Sequence, residues 1–243
     1  MNNMKTLHLK NLEKSYGKRK VVSGVNISIQ TSTITGLLGP NGAGKTTTFN
    51  MAVGLISPDS GSVLLDHLDI TGFQIYKRGK KGIGYLPQEA SVFKKLSVAD
   101  NLKIILEHTK LKRNEIETKI DSLLSEFNIE RLKYQKAESL SGGERRRLEI
   151  CRVLSTDPDF VLLDEPFAGV DPIAVSDLQE IISYLSKKNI GVLISDHNVR
   201  ETLGVCDTAY IINNGTIIKS GTPEEVAKDE IVKKTYLGKN FKM

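Results

Sequence analysis

An α/β fold with a mixed or parallel sheet is what this sequence predicts, on three observations. Apolar runs at 34–38, 160–163 and 190–194 have the length and continuity of strands buried on both faces. Val175, Leu178, Ile181, Ile182 and Leu185 recur at helical spacing between two of those runs. A glycine-rich turn at 39–44 joins a strand pattern to the helix pattern of 45–53.

The remaining elements follow in chain order. Leu7 and Leu9, then Val25, Ile27 and Ile29, alternate with polar residues and predict short strands. The turn residues of 57–61 punctuate the chain before a strand at 63–66. From about 97 to 136 the pattern changes: Ile116, Ile120, Leu123, Leu124 and Phe127 lie on one helical face with charges between them, which predicts a helical insert. Tyr210–Ile212 and Thr216–Ile218 flank Asn213, Asn214 and Gly215, a hairpin signature. The tail from Pro223 is polar and partly helical. No internal repeat, low-complexity tract or long linker divides the chain.

Composition narrows the function classes. With 39% hydrophobic and 26% charged residues, the 243-residue chain can bury a substantial core, and global disorder is excluded. No apolar run approaches the roughly 18 residues that would cross a bilayer, and the N-terminus lacks a signal-peptide core, so a soluble, cytoplasmic protein is expected. Cys151 and Cys206 have neither C-x-x-C spacing nor a histidine cluster beside them, which predicts two buried, reduced thiols. The net charge of +5 is carried by the first twenty residues, where Lys5, Lys10, Lys14, Lys18, Arg19 and Lys20 face only Glu13. Such an excess suits nucleic acid, anionic lipid or phosphorylated small molecules equally.

The strongest motif is Gly39, Pro40, Asn41, Gly42, Ala43, Gly44, Lys45 and Thr46, a G-x-x-x-x-G-K-[ST] run between a predicted strand and helix, with Thr47 next in line. Glycines let backbone N–H groups close on a triphosphate, and the helix N-terminus adds its dipole. Lys45 would reach the β and γ phosphates, and Thr46 would ligate Mg²⁺. The apolar run 160–163 ends in Asp164 and Glu165, the arrangement of a Walker B element: Asp164 for the metal shell, Glu165 as general base on water. His197 follows the strand pattern of 190–195 and should reach the same sheet edge. His8, His67 and His108 read as structural. Leu140-Ser141-Gly142-Gly143-Glu144 opens a further helix, followed by Arg145, Arg146 and Arg147, and makes a second anion-binding N-terminus.

These residues resemble the ATP-binding subunits of ABC transporters in the family's order: Tyr16, the Walker A run, Gln88, the Leu-Ser-Gly-Gly-Glu signature, Walker B with Glu165, Gly169-Val170-Asp171 as D-loop, and His197 as switch. The resemblance implies a P-loop (RecA-like) ABC nucleotide-binding domain with an antiparallel β subdomain and a helical insert. It implies a single ATPase domain over 1–243, with 1–96 and 138–222 as nucleotide-binding core, 97–137 as helical subdomain and 223–243 as C-terminal tail. It further implies ATP and Mg²⁺ as cofactors, adenine stacking on Tyr16, Gln88 at the metal, and catalysis by Glu165 with His197 and Gln88. Members act as head-to-tail dimers, so Ser141, Gly142 and Gly143 of one copy would meet the γ-phosphate held by the other, with Asp171 at the same interface. Glu144 stands where Gln is more common.

A narrower resemblance, to the ATPases of lipopolysaccharide exporters of Gram-negative bacteria, rests on the runs 82–93 (GIGYLPQEASVF), 164–172 (DEPFAGVDP), 196–202 (DHNVRET) and 236–241 (YLGKNF). It implies two integral membrane permease subunits as partners, docked at a groove containing Phe93 and Lys94, where the family usually has Arg at the second position. Lipopolysaccharide would be handled through those subunits, with the chain peripheral on the cytoplasmic face of the inner membrane and no nucleic-acid partner. Phe241 would contribute to the dimer. The basic run Lys77, Arg78, Lys80 and Lys81 reads as a solvated face, with inner-leaflet phospholipid as an alternative neighbour. The rival readings are a branched-chain amino-acid importer ATPase and a soluble ABC ATPase of iron–sulfur cluster assembly.

Overall fold

The computed structural model describes residues 4–89, 91–238 and 241; Ala90, Lys239 and Asn240, part of the runs quoted above, lie outside the described residues. The chain opens with β1 (Thr6–Tyr16) and β2 (Arg19–Gln30), an antiparallel hairpin turning through Gly17. β3 (Ile34–Leu38) leads through the glycine-rich loop into α1 (Lys45–Val53). β4 (Ser60–Leu65) and β5 (Leu68–Asp69) return to the hairpin and complete a four-stranded antiparallel sheet, order β2-β1-β4-β5.

After α2 (Ile75–Gly79) comes β6 (Ile83–Leu86), and then the helices α3 (Val98–Leu106) and α4 (Arg113–Glu126). α5 (Gly142–Leu154), β7 (Phe160–Asp164), α6 (Pro172–Lys187), β8 (Gly191–Ser195) and α7 (Val199–Leu203) follow. The hairpin β9 (Thr208–Asn213) and β10 (Thr216–Gly221) precedes α8 (Pro223–Lys228), α9 (Glu230–Val232) and a π-type turn at Lys233–Leu237. The second sheet has the order β10-β9-β3-β8-β7-β6; all its neighbours are parallel except the β9–β10 pair.

Every residue of β3, β7 and β8 is buried, which explains their unbroken apolar runs. Period-two alternation divides them between two cores. Phe160, Leu162 and Leu193 pack with α1 and the buried face of the antiparallel sheet. Val161, Leu163, Val192 and Ile194 pack with α5, α6 and the insert helices. The helix that starts at Lys45 is therefore gripped between two sheets.

The insert is entered and left through adjacent backbone: Ser97 pairs with Lys136, Val98 N–H donates to Gln135 O (2.9 Å) and Ala137 N–H to Leu96 O (2.9 Å). Its periodic stripe, Ile116, Ile120, Leu123 and Leu124, is buried against the larger core. The C-terminal elements form a third cluster, in which Val226 and Val232 meet Leu38, Leu203 and Ile211, with Tyr236, Leu237 and Phe241 at its margin.

Two surface expectations change. Arg78 is no part of a solvated face: it is 1% exposed, while Lys77, Lys80 and Lys81 around it are exposed. Its guanidinium donates to the carbonyls of Met51 (2.7 Å) and Ala52 (2.6 Å) at the end of α1, and to those of Phe73 (2.9 Å) and Thr71 (3.0 Å). The basic excess of the first twenty residues is also partly spent in ion pairs: Lys5 with Asp159, Lys14 with Asp59 and Lys20 with Glu13.

Candidate functional site

The carboxyl ends of β3, β7 and β8 share one edge, with Asp164 opposite Ser195 and Leu37 opposite the same serine. Ligands of such sheets bind in the crevice outside those ends. The loop leaving β3 presses close to its neighbours. A Cβ on Gly39 would stand 2.1 Å from the Ile212 carbonyl oxygen, and one on Gly44, whose φ is +107°, 2.8 Å from that of Val21. Larger residues are barred at both positions. Lys45 is buried, its ammonium donating to the carbonyls of Gly39 (2.6 Å) and Pro40 (3.0 Å). Burial lowers its pKa, and the charges of Glu165 and Asp196 oppose that shift. Ala43 is buried beneath the loop, Asn41, Gly42 and Thr46 are exposed at its mouth, and Thr47 is half-buried in the first turn of α1.

Glu165 follows β7 in the left-handed region at φ 44°, a conformation costing roughly 1–3 kcal/mol for a residue with a Cβ. Its N–H is fixed by the Ser195 carbonyl at 2.6 Å. One carboxylate oxygen of Glu165 takes a hydrogen bond from Gln88 Nε2 (3.0 Å) and lies 3.3 Å from His197 Nδ1. The three residues predicted to be catalytic thus converge on one atom. Asp164 beside them is 8% exposed; burial first, then the charges of Glu165 and Asp196, push its carboxyl up to about 6.

Asp196 had no role in the sequence reading beyond standing next to His197. It is fully buried and accepts three backbone hydrogen bonds, from Phe167 (2.9 Å), His197 (2.7 Å) and Asn198 (2.8 Å).

Ser141 caps α5 in a capping box. Its hydroxyl accepts the Glu144 N–H (3.3 Å) and donates to the Glu144 carboxylate (2.8 Å), which also takes the Ser141 N–H (3.0 Å). Gly142, Gly143 and Asp171 line a cavity of about 250 Å³ together with Gln88 and Glu165. Asp171 caps α6 by accepting the Ala174 N–H at 3.0 Å. Tyr16 stands apart on the antiparallel sheet, half exposed, with Lys14 Nζ 5.9 Å from its ring centre.

The capping box predicts a pH effect. Hydrogen bonds from Ser141, side chain first, and the nearby Arg131 hold the Glu144 carboxyl below its ordinary 4.5. A depressed carboxylate stabilises the fold above its unfolded pKa, and that contribution disappears as pH falls through the folded value. Glu144→Gln should therefore melt about 2 °C lower at pH 7, where the charge favours the helix N-terminus, and the gap should close below pH ~4.5. Thermal unfolding at both pH values checks this.

Phe93 is 46% exposed and lines an open groove of about 1100 Å³ with Tyr76, Lys80, Lys81, Ile104 and His108. Its backbone is held on both sides by Asn101, and the Arg152 guanidinium stacks 5.0 Å from its ring centre while also donating to the Ser91 carbonyl. Lys94 is exposed and not among the groove's lining residues; its carbonyl accepts the Glu138 N–H. Sequence reasoning missed Arg152, because nothing in a run of helix arginines says which one crosses to the aromatic ring.

A profile of the ABC transporter family matches residues 22–168. The chain is 54% identical over 241 residues to the lipopolysaccharide export system ATP-binding protein LptB of Haemophilus influenzae, and 52% identical over 241 residues to that of Escherichia coli K12, covering 99% of this chain and 100% of the relative each time. The ADP conformation of MJ1267, an ATP-binding cassette of an ABC transporter, superposes with a TM-score of 0.87 at 30% identity, covering 97% of this chain and 99% of that one. The cbiO1 structure from Clostridium perfringens, part of the transporter complex cbiONQ, gives 0.84 at 31% identity, covering 96% and 95%. Matched by the profile over more than half its length and by relatives from end to end, the chain belongs to the ABC transporter family.

Proposed function

We propose that this chain is the ATP-hydrolysing subunit of a transporter that extracts lipopolysaccharide from the inner membrane and drives its export to the outer membrane. One observation carries the reading: end-to-end identity above half with two lipopolysaccharide export ATP-binding proteins. It favours this cargo over branched-chain amino acids and over a soluble role in iron–sulfur cluster assembly. The chain would act as a head-to-tail dimer, peripheral on the cytoplasmic face and docked through the Phe93 groove to two integral membrane subunits. Among the described residues no helix is long and apolar enough to cross a membrane. The partition into core, insert at 97–137 and tail from 223 belongs to the same proposal.

The chemistry follows from the residues. Backbone N–H groups of 41–47 and the Lys45 ammonium would bind the β and γ phosphates, with adenine on Tyr16. Ser141, Gly142 and Gly143 of the second copy would close the site, with Asp171 beside them. Glu165 would accept a proton from the attacking water, and Gln88, hydrogen-bonded to its carboxylate, and His197, whose Nδ1 lies 3.3 Å from it, would orient it.

The residues present fit Mg²⁺. Asp164 is buried beside other carboxylates, where a cation would offset the crowded negative charge, and Asp164, Thr46 and Gln88 all offer hard oxygen donors. When bound, the ion would neutralise charge on the β and γ phosphates.

Purification of the native complex from membranes tests the reading. Two integral membrane proteins should accompany the chain, and lipopolysaccharide should change its ATPase rate. A purely soluble complex would overturn it.

A further inference from the structure

We infer that Asp196 is a positioning residue for ATP hydrolysis: its carboxylate ties the loop carrying Glu165 to the loop carrying His197 and sets the separation at which the two meet. The inference rests on the roles proposed above for Glu165 and His197.

The two oxygens of Asp196 have different tasks. Oδ1 accepts the N–H groups of His197 (2.7 Å) and Asn198 (2.8 Å), a local turn of a kind that aspartate and asparagine both make. Oδ2 reaches across to Phe167 N–H at 2.9 Å, on the loop two residues beyond Glu165. A second strut runs parallel to it, from Glu165 N–H to the Ser195 carbonyl at 2.6 Å. Between these bonds the left-handed Glu165 backbone is clamped on both sides, and its carboxylate lies 3.3 Å from His197 Nδ1.

The choice of a carboxylate sharpens the point. Asp196 is 0% exposed, and its charge acts with like sign on Asp164 and with opposite sign on Lys45. Asparagine would complete the local turn without that repulsion, but it has one acceptor oxygen where aspartate has two. Only the carboxylate serves both loops. Phe167 itself is 2% exposed and packed into the larger core, so the Walker B loop is anchored at one end and the switch turn is hung from it.

Asp196→Asn is the decisive variant, because a merely local cap would survive it. In the full-length protein, kcat should fall by about tenfold or more while KM for ATP changes less than about twofold, since Lys45 keeps its hydrogen bonds to the Gly39 and Pro40 carbonyls and loses only the more distant charge of Asp196. In a His197→Ala background the same substitution should change kcat by less than about threefold, because the geometry it protects is already gone. A kcat for Asp196→Asn within about twofold of the parent, or losses that simply multiply with those of His197→Ala, would overturn the inference. Should the asparagine variant fail to fold, Asp196→Ser, which also keeps a single acceptor, carries the same measurements. Normal turnover in Glu165→Gln and His197→Ala would instead defeat the functional reading itself.

Discussion

Glu165→Gln should bind ATP and hardly hydrolyse it. Gln88 Nε2 and His197 Nδ1 both address one carboxylate oxygen, at 3.0 and 3.3 Å, and an amide oxygen can take that place without disturbing either contact. What the amide cannot do is accept a proton at neutral pH. General-base assistance is worth about 10²–10⁴ in rate, so kcat should fall by at least about a hundredfold, close to 3 kcal/mol of barrier. ATP affinity should be preserved, because the Lys45 loop and the N-terminus of α1 are unaltered. With closure favoured and the resetting step removed, the variant should accumulate as an ATP-bound dimer. Single-turnover hydrolysis and size-exclusion chromatography with ATP are the measurements. Turnover near that of the parent would remove Glu165 as the base.

The same cluster shows what a sequence can and cannot disclose. The Lys45 loop was legible because its chemistry lies in the backbone: glycines at fixed spacing between a strand and a helix leave few other readings. Asp164 and Glu165 were legible because two acids ending an apolar strand demand a use. Asp196 was not, although it adjoins His197, because its longest bond goes to Phe167, 29 positions earlier. The partner of a carboxylate is a property of the folded crevice, and local spacing carries no trace of it. The Phe93 groove divides the same way: the aromatic was legible from its run, whereas the cation stacked on it, Arg152, comes from α5. Net charge is a weak guide for a related reason, since counting Lys14 says nothing of Asp59, which pairs with it at 2.7 Å after the sheet has brought them together.

Arg78→Met should destabilise the protein more than any surface substitution, although Arg78 lies in a run of four basic residues of which three are exposed. Four of its N–H donors serve four carbonyls, and two of those, Met51 and Ala52, end α1, where no helical partner remains for them. A cation there also complements the helix dipole, at the end opposite the phosphate-binding loop. The fit is tight: a Cβ on Gly54 would stand 2.6 Å from Arg78 Nε. Burial lowers the guanidinium pKa to about 10, with Asp69 opposing, so the group stays charged at neutral pH. Methionine would fill much of the volume and leave all four carbonyls without donors. At about 1–3 kcal/mol per buried unsatisfied group, partly relieved by relaxation and water, the loss should reach about 3–5 kcal/mol, or roughly 10 °C in melting temperature. Arg78→Lys should recover only part of it, because an ammonium is compact and cannot reproduce the planar fork that spans the four acceptors. The nine-residue α1 is held at its far end by this group, so KM for ATP should rise in the methionine variant as the helix bearing Lys45 loosens. Denaturant unfolding, together with ATP titration well below the melting temperature, separates the two effects. A loss under about 1 kcal/mol would mean that water, and not Arg78, satisfies the end of α1.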